Sequence, residues 1–338
     1  KCNEILYLST TARIFIMKNE RKRSIVYIII ASILWSTGGI LIKLVPWHPV
    51  AISGMRSGIA AIMMYFYIKR FKGPVTLKEI FRFSKYKYMG AIFYASTVLV
   101  FVIANKMTTA ANTILLQYSA PIWVALIAHF FLKDRVKKRD WFTVFIVFLG
   151  MGLFFVGDVD AGNMFGNLLA IISGITLALA VVMMRLQEKG RAIEMTFIGN
   201  LITFIIGCPF YFTQSYSAAS LSGIFLLGIF QLGLAYILFT DAAPKVTPLE
   251  SILIPVIEPL LNPIWVFLFY GERIGLSAIL GGSVVITSII IGIIFKILKI
   301  NVILMSSLNY ILKNFSIFGC NMNLLMIMHF FLRKTIQK

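Results

Sequence analysis

The stretch TPLESILIPVIEPLLNPIWVFLFYGER, Thr247–Arg273, is apolar enough to lie in a bilayer, yet it carries Glu250, Glu258, Asn262 and prolines Pro248, Pro255, Pro259 and Pro263. Read as a helix, Ser251, Pro255, Glu258, Asn262 and Trp265 recur at spacings of three and four, which draws a polar stripe down one face of a greasy rod. A carboxylate at the bilayer centre costs about 2.5–3.5 kcal/mol on insertion scales, so Glu258 is expected to face a cavity or a partner rather than lipid. The prolines leave backbone carbonyls without donors, which a membrane tolerates where protein or a wet cavity supplies them.

The rest of the chain shares this character. Its 338 residues are 59% hydrophobic and only 13% charged, with a mean hydropathy of +0.89, against about 45–50% apolar and about 25% charged for a soluble domain. Apolar runs long enough for the hydrocarbon core recur along most of it, so the chain reads as an all-α, multi-pass membrane protein. The net charge of +19 would suggest nucleic acid in a soluble protein. Here the basic residues sit in short loops between apolar runs and read as topology signals, so no nucleic-acid partner is expected. Cys2, Cys208 and Cys320 and the three histidines, His48, His129 and His329, are too scattered for a disulfide framework or a metal site. No cofactor is expected.

Ten spans are expected: Ser24–Val45, His48–Ile68, Tyr88–Asn105, Thr109–Leu132, Trp141–Val156, Phe165–Leu186, Met195–Phe212, Leu221–Thr240, Glu250–Tyr270 and Gly275–Phe295. Lysines and arginines crowd the loops after spans two and four (Lys69–Lys87 and Lys133–Arg139), with Lys189 and Arg191 after span six. The loops Gly157–Met164 and Thr213–Ser220 hold none. That tally places both ends of the ten-span body in the cytoplasm, in an inner or plasma membrane. Residues 1–23 read as a cytoplasmic segment, Met17 looking like a natural start and residues 1–16 like an upstream extension of the reading frame. Residues 300–338 read as an amphipathic or disordered appendage.

Sliding the chain against itself by 138 positions aligns Gly90–Arg135 with Gly228–Arg273 without a gap, pairing Gly90 with Gly228, Thr109 with Thr247, Pro121 with Pro259 and Arg135 with Arg273. Two repeats follow, residues 24–156 and 157–299, each of five spans. Five is odd, so the second repeat would insert upside down relative to the first, the usual plan of secondary transporters.

Particular residues then carry a resemblance. Trp35-Ser36 and Lys43 lie in span one, Pro49 through Arg56 lead into span two, and Pro121 precedes the Phe-Leu-Lys-Asp end of span four. Gly166 and Arg185 follow in span six, Phe230-Gln231 and Leu234-Ala235-Tyr236 in span eight, and Pro259 with Gly271-Glu272 closes span nine. Together these resemble tandem EamA-like repeats of the drug/metabolite transporter superfamily over about Ser24–Lys299. Lys133-Asp134 departs from the family's small residue and Glu. The resemblance implies carriage of a small metabolite, with export the commoner direction.

Arg56 reads either as a guanidinium fork for a substrate carboxylate or as a charge snorkelling into headgroups. Glu258 reads as a proton-coupling acid, as a fixed partner of Arg56, or as an acceptor tying helices together. Its repeat mate is Ala120, which argues against a symmetric structural device. Tyr94 and Asn105 on span three, Trp35 and Ser36 on span one, Gln117 on span four, Gln231 and Tyr236 on span eight, and Asn262 and Trp265 on span nine are further substrate-cavity candidates. Ordinary cross-helix bonding is the alternative for each of them. Gly38-Gly39 and Gly281-Gly282 read as close helix crossings, lacking the Lys-Ser/Thr that ends a phosphate-binding loop.

The expected protein is a secondary transporter working by alternating access on a small-molecule substrate such as an amino acid, with membrane lipid around it and a homodimer left open. HExxH, GxSxG and Walker patterns are absent from the sequence, so it reads as no enzyme. A lipid-headgroup enzyme within the membrane and a non-transporting scaffold or regulator are the other classes.

Overall fold

The computed structural model describes residues 20–71, 76–120, 161–187, 192–246 and 254–271, with scattered positions between 122 and 153 and between 273 and 291. The chain divides after Ile289 into two units, and the helices named below lie in Lys1–Ile289. They are α1 (Glu20–Leu44), α2 (Pro49–Phe71), α3 (Leu77–Ile80), α4 (Lys85–Met107) and α5 (Ala110–Gln117). After these come α6 (Ala161–Arg185), α7 (Ala192–Tyr211), α8 (Ala218–Ala242), α9 (Ile257–Tyr270) and α10 (Ile279–Ser288). No strand occurs among the described residues.

Six of these helices, α1, α2, α4, α6, α7 and α8, have apolar stretches of 20–25 residues, long enough to cross a membrane. They are the expected spans one, two, three, six, seven and eight. In lipid the backbone must satisfy itself, and a continuous helix does so without outside donors. Of the expected spans four, nine and ten, the described residues include α5, α9 and α10. Span five falls mostly outside the described residues, as do Pro121, Lys133-Asp134, Thr247–Leu253, Glu272, residues 1–19 and residues 292–338.

Local chemistry sets the helix ends. Thr109 accepts from the Asn112 amide to start α5, and Ser217 accepts from Ser220 to start α8. Gly271 closes α9 in the left-handed region at φ 73°, where a side chain would be strained. Two helices are irregular in mid-course. A turn at Thr37 breaks α1 before Gly38–Leu44, and α8 widens to a π-helix over Leu227–Leu234. Such π segments appear frequently at functional sites.

Packing follows the repeat. α4 lies against α6 and α7, α5 against α6, and α2 against α7 and the π segment of α8. The Gly38–Leu44 part of α1 meets α8 and α9, and α9 meets α5. Exchanging spans one to four for spans six to nine returns the same set of neighbours: α4–α6 becomes α8–α1, α4–α7 becomes α8–α2, and α5–α6 becomes α9–α1. α2 and α7 cross at two glycines. A Cβ on Gly54 would lie 2.9 Å from the Gly207 Cα, and one on Gly207 would lie 2.9 Å from the Gly54 Cα. An ion pair between Lys87 of α4, fully buried, and the partly covered Glu194 of α7 joins these helices at 3.1 Å.

Candidate functional site

Arg56 is the anchor of the polar centre. It is 2% exposed, on a turn of α2 made of Ser53, Gly54, Ser57 and Gly58, all buried small residues that let neighbouring helices close over it. Its Nη1 donates to Gln231 Oε1 at 2.9 Å, and its Nη2 reaches the Val98 carbonyl of α4 at 3.5 Å. Its Nε has no partner. No carboxylate pairs with Arg56 among the described residues. Burial at this depth rules out the reading of a side chain snorkelling to headgroups, because the guanidinium points into the bundle rather than out of it. The reading of Glu258 as its fixed ion-pair partner fails too, since Gln231 occupies that role.

Gln231 holds Arg56 from within the π segment of α8. The same amide fills a notch in α1, where a Cβ on Gly38 would come within 2.9 Å of Gln231 Nε2. Next along α1, a Cβ on Gly39 would collide with the Asn262 side chain of α9. Gly38-Gly39 is thus a close crossing, as the sequence suggests, and the groups that use the space are polar. Asn262 is fully buried, and neither of its amide atoms has a partner. One turn on, Trp265 Nε1 donates to Ser36 Oγ at 2.9 Å, which ties α9 to α1 at the Thr37 break.

Aromatic rings join Arg56 to Glu258. The Tyr236 ring meets Tyr94 at 5.1–5.2 Å between centroids, edge to face, as it does Trp35. Asn200 of α7 donates to the Tyr94 hydroxyl at 3.3 Å. The hydroxyls of Tyr94 and Tyr236 lie near the Arg56 guanidinium, and those of Tyr236 and Tyr118 lie near the Glu258 carboxyl. Tyr236 therefore lies near both a guanidinium and a carboxyl that do not pair with each other. Glu258 is half-buried, with no hydrogen bond or ion pair among the described residues, and Trp35, Tyr118 and Tyr236 are likewise only partly covered.

The EamA-like transporter family matches this chain twice, over residues 22–156 and 164–294. The chain belongs to the EamA-like transporter family. An uncharacterized transporter of Archaeoglobus fulgidus is 22% identical over 269 residues, covering 78% of this chain and 94% of the relative. The uncharacterized transporter YoaV of Bacillus subtilis strain 168 is 23% identical over 147 residues, 42% of this chain and 49% of its own length. A protein of known crystal structure shares the fold with a TM-score of 0.59 at 14% identity, over 79% of this chain and 96% of that one.

Within this EamA-like fold, the sequence-based candidates fall into two groups. Trp35, Arg56, Tyr94, Gln231, Tyr236 and Glu258 come together, with Ser36, Asn262 and Trp265 along the adjoining α1–α9 contact. Gln117 lies elsewhere, donating to Ser173 of α6 at 2.6 Å. Asn105 is fully buried on α4 with neither amide atom bonded. Asn200 and Tyr118 belong to the polar centre but escape a reading of the sequence. Asn200 lies on a span with almost no apolar asymmetry, and Tyr118 stands just past the end of α5.

Proposed function

We propose that this protein is a secondary transporter that moves a small metabolite, an amino acid or a related zwitterion, across the cytoplasmic membrane by alternating access, in the direction of export. The observation that supports this most is a buried Arg56 and a half-covered Glu258 in one aromatic-walled cluster with no ion pair between them. A substrate carboxylate matches the free edge of the guanidinium, and a substrate ammonium or a proton matches Glu258. The two repeats, inserted in opposite senses, would rock about the α2–α7 crossing. Both termini of the ten-span body would lie in the cytoplasm. Membership of the EamA-like family and relatives named as transporters favour this reading over an enzyme acting on lipid headgroups.

The test is uptake of radiolabelled amino acids and nucleosides into proteoliposomes, with and without an imposed pH gradient, for the wild type and Glu258→Gln. Gradient-driven accumulation by the wild type that Glu258→Gln abolishes is the expected result, with Glu258→Gln still equilibrating substrate. Equal accumulation by both removes Glu258 from coupling. Flux of nothing tested, by protein that remains folded, favours the scaffold reading.

A further inference from the structure

The short helix α3 and the turn after it stand apart from the transport path, and their chemistry is of another kind. Thr76 and Glu79 form a complete capping box: Glu79 N donates to Thr76 Oγ1 at 3.3 Å, and Thr76 N donates to Glu79 Oε2 at 2.7 Å. Ile80 is fully buried and pins the helix to the core formed with α2, α4 and α7. Its carbonyl accepts from Lys87 Nζ at 2.5 Å, the same ammonium that pairs with Glu194. The Tyr88 hydroxyl donates to the Phe81 carbonyl at 2.9 Å, and the Phe83 and Tyr88 rings stack at 5.7 Å. The turn is therefore held in one shape from below.

What that shape presents is apolar and basic at once. Leu77, Phe81 and Phe83 are 50%, 42% and 79% exposed, and Lys78, Arg82 and Lys85 are exposed between them. Glu79 is the single acid from Thr76 to Lys87, and its carboxylate is turned back onto Thr76. A soluble surface rarely groups bulky apolar side chains this way. Here they lie between the ends of α2 and α4, two helices able to span a membrane, and aromatic rings at span ends favour the headgroup region. Interleaved cations add attraction for an anionic leaflet.

We propose that residues 76–86 form a rigid interfacial foot that docks on anionic phospholipid headgroups, Leu77, Phe81 and Phe83 entering the acyl boundary while Lys78, Arg82 and Lys85 bind the phosphates. The foot rests on the Lys87–Glu194 pair, so the lipid is held beside a contact between the two halves of the protein. The docking site does not depend on the identity of the transported substrate.

The test uses full-length protein with its cysteines replaced by serine and Phe83→Cys carrying a bimane fluorophore, in nanodiscs of phosphatidylcholine with or without phosphatidylglycerol. Quenching is compared for brominated acyl chains on one lipid or the other. Each basic residue near an anionic surface favours anionic lipid by roughly fivefold, so phosphatidylglycerol is expected to quench well beyond its share of the lipid. The triple variant Lys78→Glu, Arg82→Glu, Lys85→Glu should lose that preference and keep the quenching by phosphatidylcholine, which shows that it is still folded and seated. Absence of quenching by either lipid overturns the proposal and leaves the foot as a surface for an acidic soluble partner. Equal quenching by both lipids, or a preference that survives charge reversal, overturns the headgroup selectivity.

Discussion

Two polar seams run through the molecule, one among α4, α5 and α6 and the other among α8, α9 and α1, the groups of helices that the repeat exchanges. The first is neutral and, apart from Asn105, closed. Gln117 donates to Ser173 at 2.6 Å, Thr97 to Thr176 at 2.9 Å, and Thr108 to Asn167 at 2.8 Å, so these side chains serve each other across helices. The second is charged and open. It leaves Trp35 Nε1, both amide atoms of Asn262 and, on the adjoining α2, Arg56 Nε without partners. Read at the 138-residue offset, Gln231 stands opposite Phe93, Tyr236 opposite Val98, Glu258 opposite Ala120 and Asn262 opposite Val124. One fold has thus been filled twice, once to hold helices together and once to leave donors and acceptors waiting. A buried polar group without a partner costs on the order of 1–3 kcal/mol, and the second seam with the adjoining Arg56 carries them on three side chains, against Asn105 alone among the described residues of the first.

The largest expected consequence falls on Arg56. Hydrogen bonds to charged groups are worth about 1.5–3 kcal/mol, or roughly 10–100-fold in affinity. Arg56→Ala should lower initial transport rates by at least that range in proteoliposomes, with protein that still elutes as a single species. Arg56→Lys restores the charge but not the planar fork, and should recover only part of the rate. Wild-type transport by folded Arg56→Ala would reduce the open seam to a packing accident.

Much of this asymmetry can be read in the sequence, because periodicity places residues on faces. The stripe of Glu258, Asn262 and Trp265 is visible at spacings of three and four, and the absence of a mate for Glu258 is visible from the offset. What periodicity cannot supply is the partner. Gln231 lies 175 residues from Arg56 and Asn200 lies 106 from Tyr94, and only the packing of α2, α4, α7 and α8 brings them together. The Thr37 break and the π segment escape as well, for neither has a proline to announce it, and Gly233 and Gly228 are as compatible with ordinary close packing. Lys87 reads as a loop charge at a span end, and its pairing with Glu194 depends on how α4 crosses α7.

A smaller effect, and a sharper comparison, comes from one glycine in each seam. A Cβ on Gly174 of α6 would meet the Gln117 carbonyl oxygen at 2.9 Å, a backbone atom that cannot step aside. The collision at Gly39 is with the end of the Asn262 side chain, which has no bonds to break in turning away. Overpacking costs about 1–3 kcal/mol, offset at both positions by the better helix propensity of alanine. Gly174→Ala should therefore lower the thermal midpoint in detergent more than Gly39→Ala, whereas Gly39→Ala should change transport more, because Asn262 is displaced. The reverse order in both measurements would mean that the closed seam, not the open one, carries the substrate.

The smallest change bears directly on whether the seams differ at all. Gln117→Leu removes one cross-helix bond, and such bonds average about 0.6 kcal/mol within membranes. Ser173 keeps its own weak bond to the Thr97 carbonyl at 3.4 Å, so little is left exposed. The thermal midpoint should fall slightly and the transport rate should stay within roughly twofold of wild type, which is under ~0.5 kcal/mol. Gln231→Leu is the matched change in the other seam, and it takes from a buried guanidinium its only side-chain acceptor among the described residues, so transport should fall steeply with it. Equal losses from the two leucines would mean that a satisfied glutamine and one holding a charge do the same work, and the distinction drawn from Ala120 and Glu258 would have no functional content.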